Sequence, residues 1–83
     1  MIHLIYFAKL RSLLGKAEEK MELPDEVSSI GDLQHYLQSK GGTYEQAFSE
    51  PGLAAAVNCC HADKQSPVHD LDEIAFFPPI MGG

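Results

Sequence analysis

The chain has 83 residues, of which 45% are hydrophobic and 22% charged, and this is typical of one small globular domain. Two hydrophobic cores do not fit in so short a chain, and a deep catalytic cleft would be hard to build in it. Six Lys and Arg against twelve Asp and Glu leave a net charge of −6. This charge excludes nucleic acid as a partner, because phosphate binding needs a basic surface, and favours a protein partner with a basic patch.

The apolar start of the chain and its cysteines indicate where the protein acts. Residues 1–8 are too few to span a bilayer, and the positive charges follow this apolar run, in the reverse of the order found in a secretion signal. Cys59 and Cys60 are adjacent, so a disulfide between them would be strained and would close no loop. We therefore predict a cytoplasmic protein with no membrane partner, whose cysteines are small buried side chains rather than metal ligands.

The hydrophobic pattern predicts a strand, a short helix, an edge strand and a longer helix in the first half of the chain. Residues 2–8 form an apolar run that suits a buried strand, and leucines at helical spacing follow until Gly15. The weak alternation over residues 18–23 predicts an edge strand. Ser29 is the predicted N-cap of the longer helix, and the glycine pair at 41–42 is expected to end it.

The second half of the chain predicts two or three more strands. Residues 53–60 read as one strand of small apolar residues, and residues 74–77 as the last strand. Between the long helix and the strand over residues 53–60, a short turn is expected to hold Tyr44 and Phe48. This order predicts an α+β fold, with one mixed sheet and one main helix across it. It fits a β-grasp, or ubiquitin-like, topology, while composition alone is equally compatible with a ferredoxin-like fold.

The last residues of the chain stand apart in composition. Pro78 and Pro79 cannot continue a strand, so we predict a β-grasp domain over residues 1–79 and an extended tail over residues 80–83. That tail would reach about 13 Å when extended. Its two glycines have no side chains, so it can enter a narrow channel and carry the terminal carboxylate into another protein. Without further support, a terminal glycine pair is most often a frayed end.

The chain resembles the MoaD family of ubiquitin-like proteins, the small sulfur-carrying subunits of molybdopterin synthase. The resemblance covers essentially the whole chain and rests on IYFAKLRSLLG, on LAAAVN and above all on DEIAFFPPIMGG. It implies that an E1-like adenylyltransferase uses ATP to adenylate the carboxyl of Gly83. It also implies that sulfide from a persulfide donor then displaces AMP and leaves a thiocarboxylate. No cofactor bound to this chain is expected.

The same resemblance implies a partner, the large subunit of molybdopterin synthase, in a heterotetramer of two small and two large subunits. The tail, with Ile80, Met81 and Gly82, would enter the active site of the large subunit. There Gly83 would give its sulfur to cyclic pyranopterin monophosphate. The catalytic pocket would belong to the large subunit, so this chain is expected to be a sulfur donor without catalysis of its own. Met81 stands where the family commonly has a smaller residue.

A docking face is predicted beside the tail. If the first and last strands pair in parallel, Phe7 and Phe77 lie close together on the sheet face opposite the helix. Pro78 and Pro79 are assigned to partner binding on the same face, which they connect to the tail. His61 is assigned to the same face, at a position where the family often has an aliphatic residue. The alternative is that both aromatic side chains belong to the core.

Three other functions remain open from the sequence. The first is sulfur carriage for thiamin thiazole synthesis, whose carriers share the fold and the glycine pair but usually lack FFPP. The second is a ubiquitin-like modifier that is conjugated to lysines, and the third is an interaction module whose glycines have no role. A carrier yields a thiocarboxylate, a modifier yields adducts on other proteins, and a module tolerates loss of the tail.

Overall fold

A computed structural model of the chain describes residues 1–78. Within this range, strands and helices follow one another in the order β1 (Ile2–Tyr6), α1 (Ala8–Leu14), β2 (Glu18–Met21), α2 (Ile30–Gln38), α3 (Gly42–Phe48), β3 (Ala54–Val57), β4 (Cys60–Ala62) and β5 (Glu73–Phe77). The predicted order is confirmed, and a third helix and a division of the predicted third strand are added to it. Among the described residues, no helix has the length and apolar character needed to cross a membrane.

The strands form one mixed sheet in the order β2-β1-β5-β3-β4. The two central strands, β1 and β5, are parallel, with Leu4 in register with Ile74, and all the other neighbouring strands are antiparallel. The prediction of an α+β fold with a mixed sheet is confirmed. Because β5 lies between β1 and β3, the last strand of the chain occupies the middle of the sheet.

One face of the sheet is covered by the helices and forms the core. Alternate residues of the two central strands point to it, and none is more than 1% exposed: Ile2, Leu4, Tyr6, Ile74 and Phe76. The α2 helix covers them with a stripe at helical spacing, namely Ile30, Leu33 and Leu37. Each large side chain buried in this way contributes about 1.5–3 kcal/mol relative to an exposed one. Burial on this face therefore supplies most of the stability of the domain.

The ends of α2 show why it lies where it does. The Ser29 hydroxyl accepts a hydrogen bond from the Asp32 N–H at 3.1 Å, so the predicted N-cap is confirmed. The Asp32 carboxylate accepts hydrogen bonds from the backbone and the hydroxyl of Ser28, and these bonds lower its pKa. The predicted C-terminal end is wrong, because α2 ends at Gln38 and the glycines at 41–42 begin α3 instead.

Left-handed backbone conformations mark both ends of α1. Ala8 has a φ of 53° and directs the chain away from β1 into the helix. Gly15 has a φ of 72° and donates its N–H to the Arg11 carbonyl, which closes the last turn. A glycine adopts this conformation without a steric penalty, so the helix ends at Gly15 as predicted.

The single strand predicted over residues 53–60 is wrong. The chain turns back at Asn58 and Cys59, whose φ angles are 50° and 70°, and β4 then runs antiparallel to β3. Two left-handed residues in a two-residue loop are typical of a tight hairpin turn, which usually has the sequence Asn-Gly. Here a cysteine takes the place of the glycine, so the sequence carries only half of the usual turn signal.

One polar cluster interrupts the covered face at the β2 edge. The Tyr6 and Tyr44 hydroxyls donate to Oε2 of Glu19 at 2.6 and 2.7 Å, and Nζ of Lys16 donates to its Oε1 at 3.3 Å. Burial by itself raises the pKa of Glu19, but these three hydrogen bonds outweigh burial and leave the pKa lowered. Burial raises the pKa of Tyr6, and the hydrogen bond to Glu19 raises it further. The Tyr6 hydroxyl therefore keeps its proton and remains a donor. The cluster therefore ties the edge strand to α3.

Candidate functional site

The sheet face that points away from the helices is the candidate site, and we call it the open face. Strand alternation and the pairing registers place side chains from all five strands on it. They are Glu18 and Lys20 of β2, His3 and Ile5 of β1, Phe7 directly after β1, Glu73, Ala75 and Phe77 of β5, Ala54 and Ala56 of β3, and His61 of β4. From one end of the strands to the other, these side chains change from apolar to charged.

The apolar end of the open face holds the two predicted aromatic residues. Tyr6 is in parallel register with Phe76, and the Phe7 N–H donates to the Phe76 carbonyl at 3.2 Å, so Phe7 and Phe77 follow side by side. Phe7 is 49% exposed and Phe77 is half-buried. The predicted placement is confirmed, and the alternative that both side chains are core residues is wrong. Their role in docking stays a prediction.

The described part of the chain ends at this apolar end of the open face. β5 ends at Phe77, and the half-buried Pro78 follows it beside the aromatic pair. Because β5 is a central strand, the chain leaves from the middle of the sheet and not from a corner. The remaining predicted site residues lie outside the described range, so the tail over residues 80–83 and the roles of its residues stay predictions: Pro79, Ile80, Met81, Gly82 and Gly83.

The middle of the open face has an apolar centre, bordered by Glu18 on one edge strand and by His61 on the other. Ile5 is in register with Ala75, Ala75 with Ala56, and Ala56 with His61. The two alanines leave little side-chain volume between the larger groups on either side. His61 is exposed on the edge strand, as predicted for the open face, and its contact with a partner stays a prediction.

The end of the open face away from the tail is charged. Nε2 of His3 lies 2.5 Å from a carboxylate oxygen of Glu18, and its Nδ1 lies 3.7 Å from Glu73. Lys20 is in register with His3 on the next strand. This cluster was not predicted, because histidine and glutamate are common on exposed strands. The signal that could have found it is the position of His3 two residues before Ile5, on the same side of β1.

The two cysteines do not lie where the sequence predicted. Both are exposed, and only Cys60 belongs to a strand, since Cys59 is in the hairpin turn. Ala54 is in register with Phe77, and β3 runs about 10 Å from there to the turn, so the thiols lie at the end of the sheet away from the tail. Within residues 1–78, no three His, Cys, Asp or Glu side chains are arranged to hold a metal ion.

This arrangement suits protein recognition. The open face offers apolar and charged groups on one exposed surface, and the described part of the chain ends at Pro78 beside its apolar part. A terminal carboxylate is ionised at neutral pH and is a poor electrophile, so any acyl chemistry at the chain end needs prior activation. The geometry therefore fits a protein that is held by a partner while its chain end reacts.

Comparisons with known proteins cover the whole chain. The ThiS family model matches residues 4–83. The molybdopterin synthase sulfur carrier subunits of Haemophilus influenzae and Escherichia coli are 32% and 31% identical over 83 residues, with 100% of each chain covered. A solved Pyrococcus furiosus structure, assigned as molybdopterin converting factor, subunit 1, has a TM-score of 0.76 at 27% identity. That match covers 95% of this chain and 97% of the other.

Proposed function

The chain belongs to the ThiS family, together with the molybdopterin synthase sulfur carrier subunits, and on that premise we propose that it carries sulfur on Gly83. The family resemblance and the ubiquitin-like β-grasp fold inferred from the sequence are thereby confirmed. One observation in the structure supports the proposal most directly. The central strand β5 and Pro78 end beside Phe7, an exposed aromatic residue on the open face, five residues before the end of a sequence that closes on a glycine pair.

The first part of the proposal is activation of the chain end. An E1-like adenylyltransferase transfers AMP from ATP to the Gly83 carboxylate and releases pyrophosphate, which turns a poor electrophile into a reactive acyl-adenylate. The terminal sulfur of a persulfide donor attacks the acyl carbon and displaces AMP, which leaves an acyl disulfide. A thiol then reduces this disulfide, so that the donor leaves in a new disulfide with that thiol and the thiocarboxylate remains on Gly83. The negative charge then lies on a polarisable sulfur, which is a better nucleophile than oxygen. Because ATP drives this step, we place the reaction in the cytoplasm.

The second part is delivery. The open face binds the large subunit of molybdopterin synthase, with Phe7 and Phe77 as apolar contacts and Pro78 and Pro79 as the connection to the tail. The tail then extends into the active site of the large subunit, where cyclic pyranopterin monophosphate receives the sulfur. Two deliveries complete the dithiolene, and a heterotetramer holds two carriers. Attachment to a protein raises the local concentration of sulfur at this one site.

The test is a search for the thiocarboxylate on the purified protein. Protein from sulfur-replete cells that express the activating enzyme is alkylated with a thiol reagent and digested with trypsin. Lys64 is the last cleavage site, so the C-terminal peptide runs from Gln65 to Gly83 and excludes both cysteines. We expect an alkyl group on Gly83. Oxidation of Met81 adds nearly the same mass as the exchange of oxygen for sulfur, but it takes up no alkyl group at the chain end.

The matched control is the chain without Gly83, which keeps the fold and offers a terminal Gly82. We expect it to show no alkylation at its end and to support no molybdopterin synthesis. An unmodified carboxylate on the complete chain, despite the active enzyme and a sulfur source, would contradict sulfur carriage. Adducts on lysines of other proteins would instead identify a modifier. A thiocarboxylate that the large subunit does not consume would indicate a different sulfur pathway.

A further inference from the structure

A second exposed apolar site lies at the far end of the sheet from the tail. Leu71 is 83% exposed and Met1 is 54% exposed, and the Leu71 N–H donates to the Met1 carbonyl at 2.9 Å. The other exposed large hydrophobic residue in the described range is Phe7, at the tail end of the open face. The docking proposed above explains Phe7 and leaves Leu71 without a role.

The backbone at Leu71 makes its exposure more informative. Its φ is 73°, in the left-handed region that glycine, asparagine and aspartate adopt most readily. A leucine is disfavoured there by its backbone conformation and again by the contact of its side chain with water. Two unfavourable features at one position indicate that the side chain contributes something outside this chain.

The surroundings of Leu71 connect it to the open face. A surface cavity of about 350 Å³ separates the two, and its lining residues are Met1, Ile2, His3, Lys20, Leu71 and Glu73. Three of these, the histidine, the lysine and the glutamate, belong to the charged end of the open face described above. A partner that covers this face up to its charged end therefore meets Leu71 and the cavity as part of the same surface.

The size of the open face also favours a contact along its whole length. From Phe7 to Met1 the face is about 20 Å long, and five strands make it about 19 Å wide, so its flat area is roughly 400 Å². The apolar half of the face, near Phe7, offers only about half of that area. A stable interface typically buries about 800 Å² on each partner, so even the whole face falls short of it, and a stable contact must extend past the apolar half and past the charged end.

We propose that Leu71 is a second anchor through which the large subunit binds the open face. This inference rests on the proposed function and extends it. The large subunit presents an apolar pocket to Leu71 and an apolar side chain to the cavity, with polar groups that pair with His3, Lys20 and Glu73. Phe7 and Leu71 then fix the carrier at two ends, which determines the direction in which the tail leaves it.

The experiment is titration calorimetry of the complete carrier with the purified large subunit. Leu71→Gly removes the apolar side chain at a position where glycine relieves the backbone, so we expect no loss of thermal stability. We expect its affinity for the large subunit to fall by about tenfold. Leu71→Met keeps an apolar side chain and is expected to retain most of the affinity.

The matched control is Cys59→Gly, which places glycine at another exposed position with a similar left-handed φ, near the same end of the sheet. We expect its affinity to stay within twofold of the unaltered chain. Equal affinities for Leu71→Gly, Cys59→Gly and the unaltered chain would overturn the inference. So would a concentration-dependent dimer of the carrier that only Leu71→Gly abolishes, because Leu71 would then bind a second copy.

The proposed function and this inference fail in different ways. If the unaltered chain carries a thiocarboxylate and binds the large subunit but Leu71 makes no difference, only the second anchor is wrong. If the unaltered chain carries no thiocarboxylate, sulfur carriage itself is wrong. If it carries one but does not bind the large subunit, the docking and the anchor are both wrong while sulfur carriage stands.

Discussion

The covered and open faces of the sheet are built from alternate residues of the same strands, yet their side chains differ in exposure and in what they contact. On the covered face, Tyr6 and Phe76 are at most 1% exposed and contact the helices. On the open face, their neighbours Phe7 and Phe77 remain accessible at the tail end. Because successive side chains of a strand point to opposite faces, adjacent positions can serve stability and recognition separately. Neighbouring aromatic residues provide the sharpest test of this separation.

The largest effect is expected on the covered face, at Phe76. Its ring is fully buried and packs at right angles to the ring of Phe48, with ring centroids 5.1 Å apart. Phe76→Ala leaves a cavity in the middle of the core, and we expect a loss of about 3–5 kcal/mol in the free energy of unfolding. That loss is a large part of the stability of a small domain. Chemical denaturation followed by circular dichroism measures it, and a loss below about 1 kcal/mol would contradict the assignment.

A smaller effect on stability and a clear effect on binding are expected at the next residue. Phe77→Ala removes a half-buried ring from the open face, so we expect a loss of stability of about 1 kcal/mol. Affinity for the large subunit is expected to fall about tenfold or more, since aromatic side chains often dominate interface energies. The two alanine variants serve as controls for each other. Equal losses of stability, or unchanged binding by Phe77→Ala, would show that the faces are not separate.

The smallest effect on stability is expected at Glu19, in the polar cluster that interrupts the covered face. Glu19→Gln removes the charge that Tyr6, Tyr44 and Lys16 stabilise but keeps an acceptor oxygen, and we expect a loss of about 0.5–1 kcal/mol at pH 7. The folded chain lowers the pKa of Glu19, so this stabilisation is complete above the usual pKa of a glutamate. It disappears as the pH falls through the lowered value. The stability difference between the two proteins is therefore expected to shrink in acid.

Denaturant midpoints at pH 7 and at pH 3 measure this change. Glu45→Gln is the matched control, because it makes the same substitution at an exposed position on α3, next to Tyr44. We expect Glu45→Gln to change stability by less than about 0.5 kcal/mol at both values. A difference between Glu19→Gln and the unaltered chain that stays constant from pH 7 to pH 3 would count against the lowered pKa.

Much of the fold could be predicted because its signals are local. The apolar run of β1, the helix end at Gly15 and the N-cap at Ser29 each depend on a few neighbouring residues. The same alternation that identified β1 and β5 as strands placed Phe7 and Phe77 on one face. These features need no knowledge of distant contacts, so a single sequence is enough to find them.

The rest could not be predicted, because it depends on tertiary contacts or on unusual residues in turns. In the sequence, Glu19 looks like any charged residue of an edge strand. Its hydrogen bonds come from Tyr6 and Tyr44, which lie on other elements and approach it only in the folded chain. The hairpin at Cys59 lacked the glycine that normally marks such a turn. Leu71 was missed although it stands between two aspartates, since neither its exposure nor its left-handed backbone follows from its side chain.

The central position of β5 also determines how the domain folds. β1 can pair with β2 early during synthesis, because only a short helix separates the two strands. The middle of the sheet stays open until β5 arrives, roughly seventy residues after β1, and contacts so distant in sequence form late and cooperatively. A partly synthesised chain therefore has no open face. The open face and the strand that leads to the proposed reactive end therefore form in the same folding step.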